Sequence, residues 1–160
     1  MEKLLTSVYK NRTLCSFLKI LSHLVSILCV LTLAFNLGYF VYLEAYREAA
    51  KLATSLLIGY IFVTGVREII DAPRPYELFE FYKHKPKKRE GRSFPSRHAY
   101  SAFAISSAAL SVNIPLGISL LLASLVMCVC RVLLGIHFIR DVVAGALIGV
   151  TAGVGALLII

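Results

Sequence analysis

Apolar and polar residues alternate along this chain in long blocks rather than at the short period of a soluble helix or strand. A membrane-crossing helix needs about 20 apolar residues, with about 17 the lower limit. The first such block is Leu24 to Leu43, and it can begin as early as Ser16 if Lys19 snorkels to the interface. Glu44 to Lys51 turns the chain, and a second, shorter block runs from Leu52 to about Val66, with Arg67 near its end and Ile69 and Ile70 beyond. Asp71 to Arg97 is a polar loop containing Pro73, Pro75 and Pro86. Ala99 to Cys130 then carries no charge at all, which is too long for one helix. Asn113-Ile114-Pro115 is the natural break, since proline is tolerated in the first turn of a new helix. A third span therefore ends near Val112 and a fourth runs from about Pro115 to Leu134. The fifth is Val142 to Ile160, where Gly145, Gly149, Gly153 and Gly155 allow close helix packing. The pattern predicts an all-α, polytopic transmembrane helix bundle of about five spans. It forms one integral membrane domain over residues 1–160, without repeats or a separate soluble part.

Composition agrees with that class. Charged residues make up 16% of the chain and mean hydropathy is +0.78, whereas about a quarter of a soluble domain is charged. The net charge of +8 would suggest nucleic acid in a soluble protein. Here the basic residues lie between apolar spans, where they set topology, touch anionic headgroups or bind an anionic substrate. The run Lys83 to Arg89 lacks interleaved aromatics, so a nucleic-acid partner is not expected. Cys15, Cys29, Cys128 and Cys130 all sit in apolar stretches and read as small buried hydrophobes rather than disulfides or zinc ligands. Glu68, Asp71, Glu77 and Glu80 alternate with arginines and prolines instead of clustering, so neither a metal nor another cofactor is expected. The first apolar run is too long for a signal-peptide core and lacks a small-residue cleavage site, so no cleaved leader is expected.

Three charged clusters flank the spans: Arg67 to Pro75, then Phe94-Pro95-Ser96-Arg97-His98, then Arg131 to Asp141. Threading five spans places all three on one membrane face. Charge beside membrane helices is costly unless paired or interfacial, so the convergence points to a site. Arg67, Arg74 and Arg131 offer forked donors suited to phosphate oxygens. His137 and Asp141 are four apart and share a face if that segment is helical. A carboxylate bonded to one imidazole nitrogen leaves the other free as a nucleophile. His98 can protonate a leaving alkoxide, while Ser96 and backbone N–H groups at the start of the third span can hold a further phosphate oxygen. Together the residues suit a metal-free phosphohydrolase.

The set resembles the type-2 phosphatidic acid phosphatase superfamily, whose motifs are Lys-x6-Arg-Pro, Pro-Ser-Gly-His and Ser-Arg-x5-His-x3-Asp. The counterparts here are Arg67-x6-Arg74-Pro75, Pro95-Ser96-Arg97-His98 and Cys130-Arg131-x5-His137-x3-Asp141, in the family's order over residues 67–141. The resemblance implies a phosphohistidine at His137, oriented by Asp141, with His98 protonating the leaving group. Arg67, Arg74, Ser96, Arg97 and Arg131 would hold the phosphate, and no metal would be needed. Three positions depart from the pattern. Arg67 replaces lysine and keeps its charge. Cys130 replaces serine and loses a hydroxyl donor. Arg97 replaces glycine, which adds bulk beside the phosphate and would strain a positive φ.

Of the basic residues, only Arg47 and Lys51 fall on the face opposite the motifs. The positive-inside rule then puts the motif face in the cytoplasm, in an arrangement suited to a bacterial inner membrane. The expected partner, besides the bilayer, is a lipid phosphate made on the inner leaflet: phosphatidylglycerol phosphate first and phosphatidate second, ahead of undecaprenyl diphosphate or lipid A phosphate. The other function class is a non-catalytic lipid-binding or transport component that keeps an anion site. Oligomeric state is not legible in the sequence.

Overall fold

The computed structural model describes residues 2–78 and 91–159, so the basic run 83–89 lies outside the described residues. Among these, all regular structure is helical: α1 (Glu2–Lys10), α2 (Arg12–Tyr42), α3 (Tyr46–Ile70), α4 (Pro75–Leu78), α5 (Arg97–Ala109), α6 (Ile114–Leu133) and α7 (Ile139–Ile159). Four helical stretches are long and apolar enough to cross a membrane: Arg12–Tyr42, Tyr46–Leu78, Ile114–Leu133 and Ile139–Ala156. The chain is a multi-pass membrane protein.

Polar residues at span ends join the helices rather than stopping them. α2 begins at Arg12 because Asn11 caps it, its Oδ1 accepting from Leu14 N at 3.0 Å. Only 43–45 separates α2 from α3, and α3 continues through Arg67 to Ile70, so both helices outrun the apolar blocks that announce them. The predicted break at Asn113 is present: Asn113 Oδ1 accepts from Leu116 N at 2.9 Å, and Pro115 sits in the first turn of α6.

The third span differs most from expectation. α5 is 13 residues long and stops at Ala109. At 1.5 Å per residue it rises about 20 Å, less than a hydrocarbon core of about 30 Å. It is also the innermost helix, with nine of its residues buried. Its alanines and serines let α7 approach closely. A Cβ on Gly149 would lie 2.5 Å from Tyr100 O, and one on Gly153 would lie 2.5 Å from Ala104 O, while Gly155 meets nothing within 4 Å. Between helices with no water to expel, such van der Waals fit is what holds a bundle together.

The contact register gives the helix directions. Gly145, Gly149 and Gly153 meet successively later residues of α5, so α5 and α7 run parallel. Ser55 Oγ donates to Ala152 O at 2.9 Å and Tyr100 Oη to Leu56 O at 2.7 Å, which sets α3 antiparallel to both. Val8 of α1 packs with Cys15, Leu18, Cys130 and Leu134, so α1 lies where α2 starts and α6 ends. The four long helices and the shorter α5 therefore alternate in direction, and α1, segments 71–78 and 91–96 and the α6–α7 turn gather at one end. Phe17, Ile20 and Leu24 of α2, Ile58, Ile61 and Phe62 of α3, and Leu122 and Leu125 of α6 are exposed and form the lipid-facing surface.

Candidate active site

Segments 71–78 and 91–96 are held together at that end by backbone and carboxylate contacts. Ser93 N donates to Ala72 O at 2.8 Å, Arg92 N to Asp71 Oδ1 at 3.1 Å, and Gly91 N to Glu77 Oε1 at 2.8 Å. Gly91 has φ +60°, and a Cβ there would run into the Asp71 carboxylate, so this turn needs glycine. Arg67 Nη1 reaches from the end of α3 to donate to Ser93 O at 3.2 Å and Pro95 O at 2.6 Å. Arg74 Nε donates to Gly91 O at 3.0 Å. Both arginines thus brace the loop from which α5 begins, as well as carrying charge.

A cavity of about 140 Å³ lies between these elements, lined by Arg67, Arg74, Arg97, His98, Arg131, Ile136 and His137. Its charged groups are held, not splayed into solvent: Arg67, Arg74 and Arg131 are 5%, 9% and 9% exposed, and His137 is 3% exposed. Arg131 Nε has no hydrogen-bond partner among the described residues. A buried, unpaired guanidinium donor on the wall of a cavity calls for an anion.

His137 sits in the turn before α7, not on a helix face shared with Asp141. The two meet because α7 begins at Ile139 and Asp141 lies in its first turn. Their pairing distance, Nδ1 to Oδ2, is 3.6 Å. Asp141 is fully buried, and its Oδ2 accepts from Phe138 N at 2.9 Å and from Ser93 Oγ at 2.5 Å. Ser93 Oγ is also 3.4 Å from His137 Nδ1. The serine therefore bridges imidazole and carboxylate, and Nε2 is the ring nitrogen left without a partner among the described residues. Burial pushes the His137 pKa below its ordinary value of 6.5. Asp141 pulls it up, and the Arg74 charge lowers it further. The ring is held neutral, the form in which a nitrogen lone pair is available.

The remaining expected site residues divide. His98 and Arg97 open α5 and line the cavity. Arg97 is helical and does not occupy the left-handed region, so the strain expected from replacing glycine is absent. Ser96 is fully buried and caps α5, its Oγ accepting from Ala99 N at 3.4 Å and its N–H donating to Asp141 O at 2.9 Å. It stands outside the cavity lining and ties α5 to α7.

A family model described as the PAP2 superfamily matches residues 48–160, a stretch that holds every residue of this site. The chain belongs to the PAP2 superfamily. Among solved structures, it resembles LpxE from Aquifex aeolicus at 26% identity, covering 92% of this chain and 87% of that one, with a TM-score of 0.70. It shares its fold with the first transmembrane PAP2-type phosphatidylglycerolphosphate phosphatase from Bacillus subtilis, at 20% identity, 98% and 82% coverage and a TM-score of 0.74. No curated protein matches the chain. Membership places it among the PAP2 lipid phosphatases, which are phosphoric ester hydrolases.

Within this PAP2 site, Ser93 is the residue that sequence reasoning misses. Its neighbours Phe94 and Pro95 belong to a recognisable motif, but a serine in a polar loop reads the same whether it meets water or a buried carboxylate.

Proposed function

We propose that this chain hydrolyses a lipid phosphate monoester through a phosphohistidine at His137, without a metal, on the cytoplasmic face of a bacterial inner membrane. The observation that carries the reading is the small cavity where three buried arginines, His98 and the unpartnered side of His137 converge. His98 also lines an adjoining chamber of about 280 Å³ walled largely by apolar residues of α2, α5 and α6. It therefore stands between a place for the phosphate and a place for the lipid, where the scissile P–O bond would lie.

In this mechanism His137 Nε2 attacks phosphorus while Arg67, Arg74 and Arg131 bind the equatorial oxygens, whose charge they stabilise as the P–O bond lengthens. The leaving lipid oxygen takes its proton from His98. Ser93 and Asp141 hold Nδ1–H, so positive charge on the ring is stabilised as the P–N bond forms. Water then attacks the phosphohistidine, giving its proton to His98 and releasing inorganic phosphate, which returns both histidines to their starting state.

Phosphatidylglycerol phosphate is the first substrate and phosphatidate the second, because the basic residues concentrate on the motif face and so favour an inner-leaflet lipid. The test is phosphate release in detergent micelles from these two lipids, undecaprenyl diphosphate and lipid A phosphate, with and without EDTA. Release that survives EDTA and ranks the glycerophospholipids first is expected. EDTA-sensitive release would remove the metal-free mechanism, and absence of release from every lipid would leave an anion-binding membrane component.

A further inference from the structure

Arg97 and His98 form a wall common to the phosphate cavity and the apolar chamber. The charge count at this wall exceeds what one phosphate needs. A monoester carries at most two negative charges, and Arg67, Arg74 and Arg131 already face it. Arg97 is a fourth cation and is not tied to the loop as Arg67 and Arg74 are. Its guanidinium rests over Tyr60, with Cζ 5.9 Å from the ring centroid and Nη1 donating to the Tyr60 hydroxyl at 3.5 Å. That partner is neutral, so the contact orients the guanidinium without offsetting its charge.

Tyr60 marks a boundary. Beyond it, a second pocket of about 380 Å³ continues between α2, α3 and α5, and its lining is apolar except for Ser101 and the Tyr60 and Tyr100 hydroxyls. It shares Tyr60, Ser101 and Ile105 with the first chamber. A lipid with its reacting phosphate among the arginines and its chains along these pockets must pass its linker group beside Arg97. For a lipid with one phosphate the linker is neutral and brings the fourth cation no counter-charge. For a lipid with two, the linker carries the second anion.

We propose that Arg97 is a specificity residue that pairs with a second phosphoryl group between the scissile phosphate and the chains. The preferred substrates are then lipids with two phosphoryl groups, either a diphosphate or a monoester joined to a phosphodiester. This rests on the phosphatase reading above and adds the reason Arg97 stands where the family pattern has glycine.

The test compares kcat/KM for matched pairs, farnesyl monophosphate with farnesyl diphosphate and phosphatidate with phosphatidylglycerol phosphate, in wild type, Arg97→Gln and Arg97→Lys. Arg97→Gln is expected to lower kcat/KM for the two-phosphoryl member of at least one pair about tenfold more than for its partner, and Arg97→Lys should restore part of that preference. The pair that responds tells whether a diphosphate or a phosphodiester is read. Equal losses within both pairs would overturn the proposal and assign Arg97 to the transferred phosphate. If no lipid turns over, the phosphatase reading fails on its own. Affinity for methylenebisphosphonate relative to inorganic phosphate then decides: a preference lost in Arg97→Gln supports the pairing, and an unchanged preference overturns it.

Discussion

Ser93 and Phe138 both donate to the same oxygen of Asp141, and Ser93 alone also approaches His137 Nδ1. A hydrogen bond to a charged group contributes about 1.5–3 kcal/mol, so Ser93→Ala should lower kcat about tenfold to a hundredfold, and Ser93→Thr, which keeps the hydroxyl, should restore much of it. His98→Ala should lose the general acid, a fall of about 10²–10⁴-fold that steady-state phosphate release would read directly. The pH profile carries a sign. In the proposed mechanism attack needs neutral His137, and burial together with the Arg74 charge holds its pKa below 6.5, so the imidazole stays unprotonated to a lower pH than an ordinary histidine. The acid limb of kcat/KM should therefore move upward in Arg74→Gln. Substrate ionisation is common to both proteins, and identical limbs would contradict this role for Arg74. At this scale the titratable and cationic residues were legible, because histidine, aspartate and arginine beside apolar spans are rare enough to stand out. Ser93 was not, and Ser96 turned out to be a helix cap, because a hydroxyl's task depends on partners far away in the chain.

The α5–α7 pair is the element on which the site is built. α5 starts with the motif residues Arg97 and His98, and Ser96, its cap, donates to the Asp141 carbonyl at the start of α7. A Cβ on Gly149 would lie 2.5 Å from the Tyr100 carbonyl oxygen, so Gly149→Ala should destabilise by about 1–3 kcal/mol, the range for overpacking a well-packed interior. Gly155→Ala, with open space around it, should stay within about 0.5 kcal/mol. Thermal unfolding in one detergent compares the two. The glycine spacing was readable because period and residue size survive without coordinates. Helix ends were less so: α2 runs from Arg12 rather than from the apolar block, since Asn11 and not hydropathy decides where it begins. The shortness of α5 was also hidden, because Leu110 to Val112 is as apolar in turns as it would be in helix.

Across the whole molecule, four long helices and the shorter α5 bring residues from three separate segments to one end; the alternation of apolar blocks anticipates that gathering, though not that one of the five expected spans is too short to cross alone. The charge asymmetry motivates the proposed cytoplasmic side for the motif end. With the motif end in the cytoplasm, a reporter fused after α7 should be found on the external side of the membrane, and a cytoplasmic signal would reverse the assignment. The bundle's central feature is that it holds an imidazole with a lowered pKa, its Nε2 unpartnered among the described residues, beside buried arginines. The most direct measurement is a rapid acid-free quench of a single turnover with a radiolabelled lipid phosphate. The account predicts label bound to the wild-type protein in an acid-labile, base-stable form and absent from His137→Ala. Release of labelled phosphate with no protein-bound label at any time point, or label persisting in His137→Ala, would contradict it.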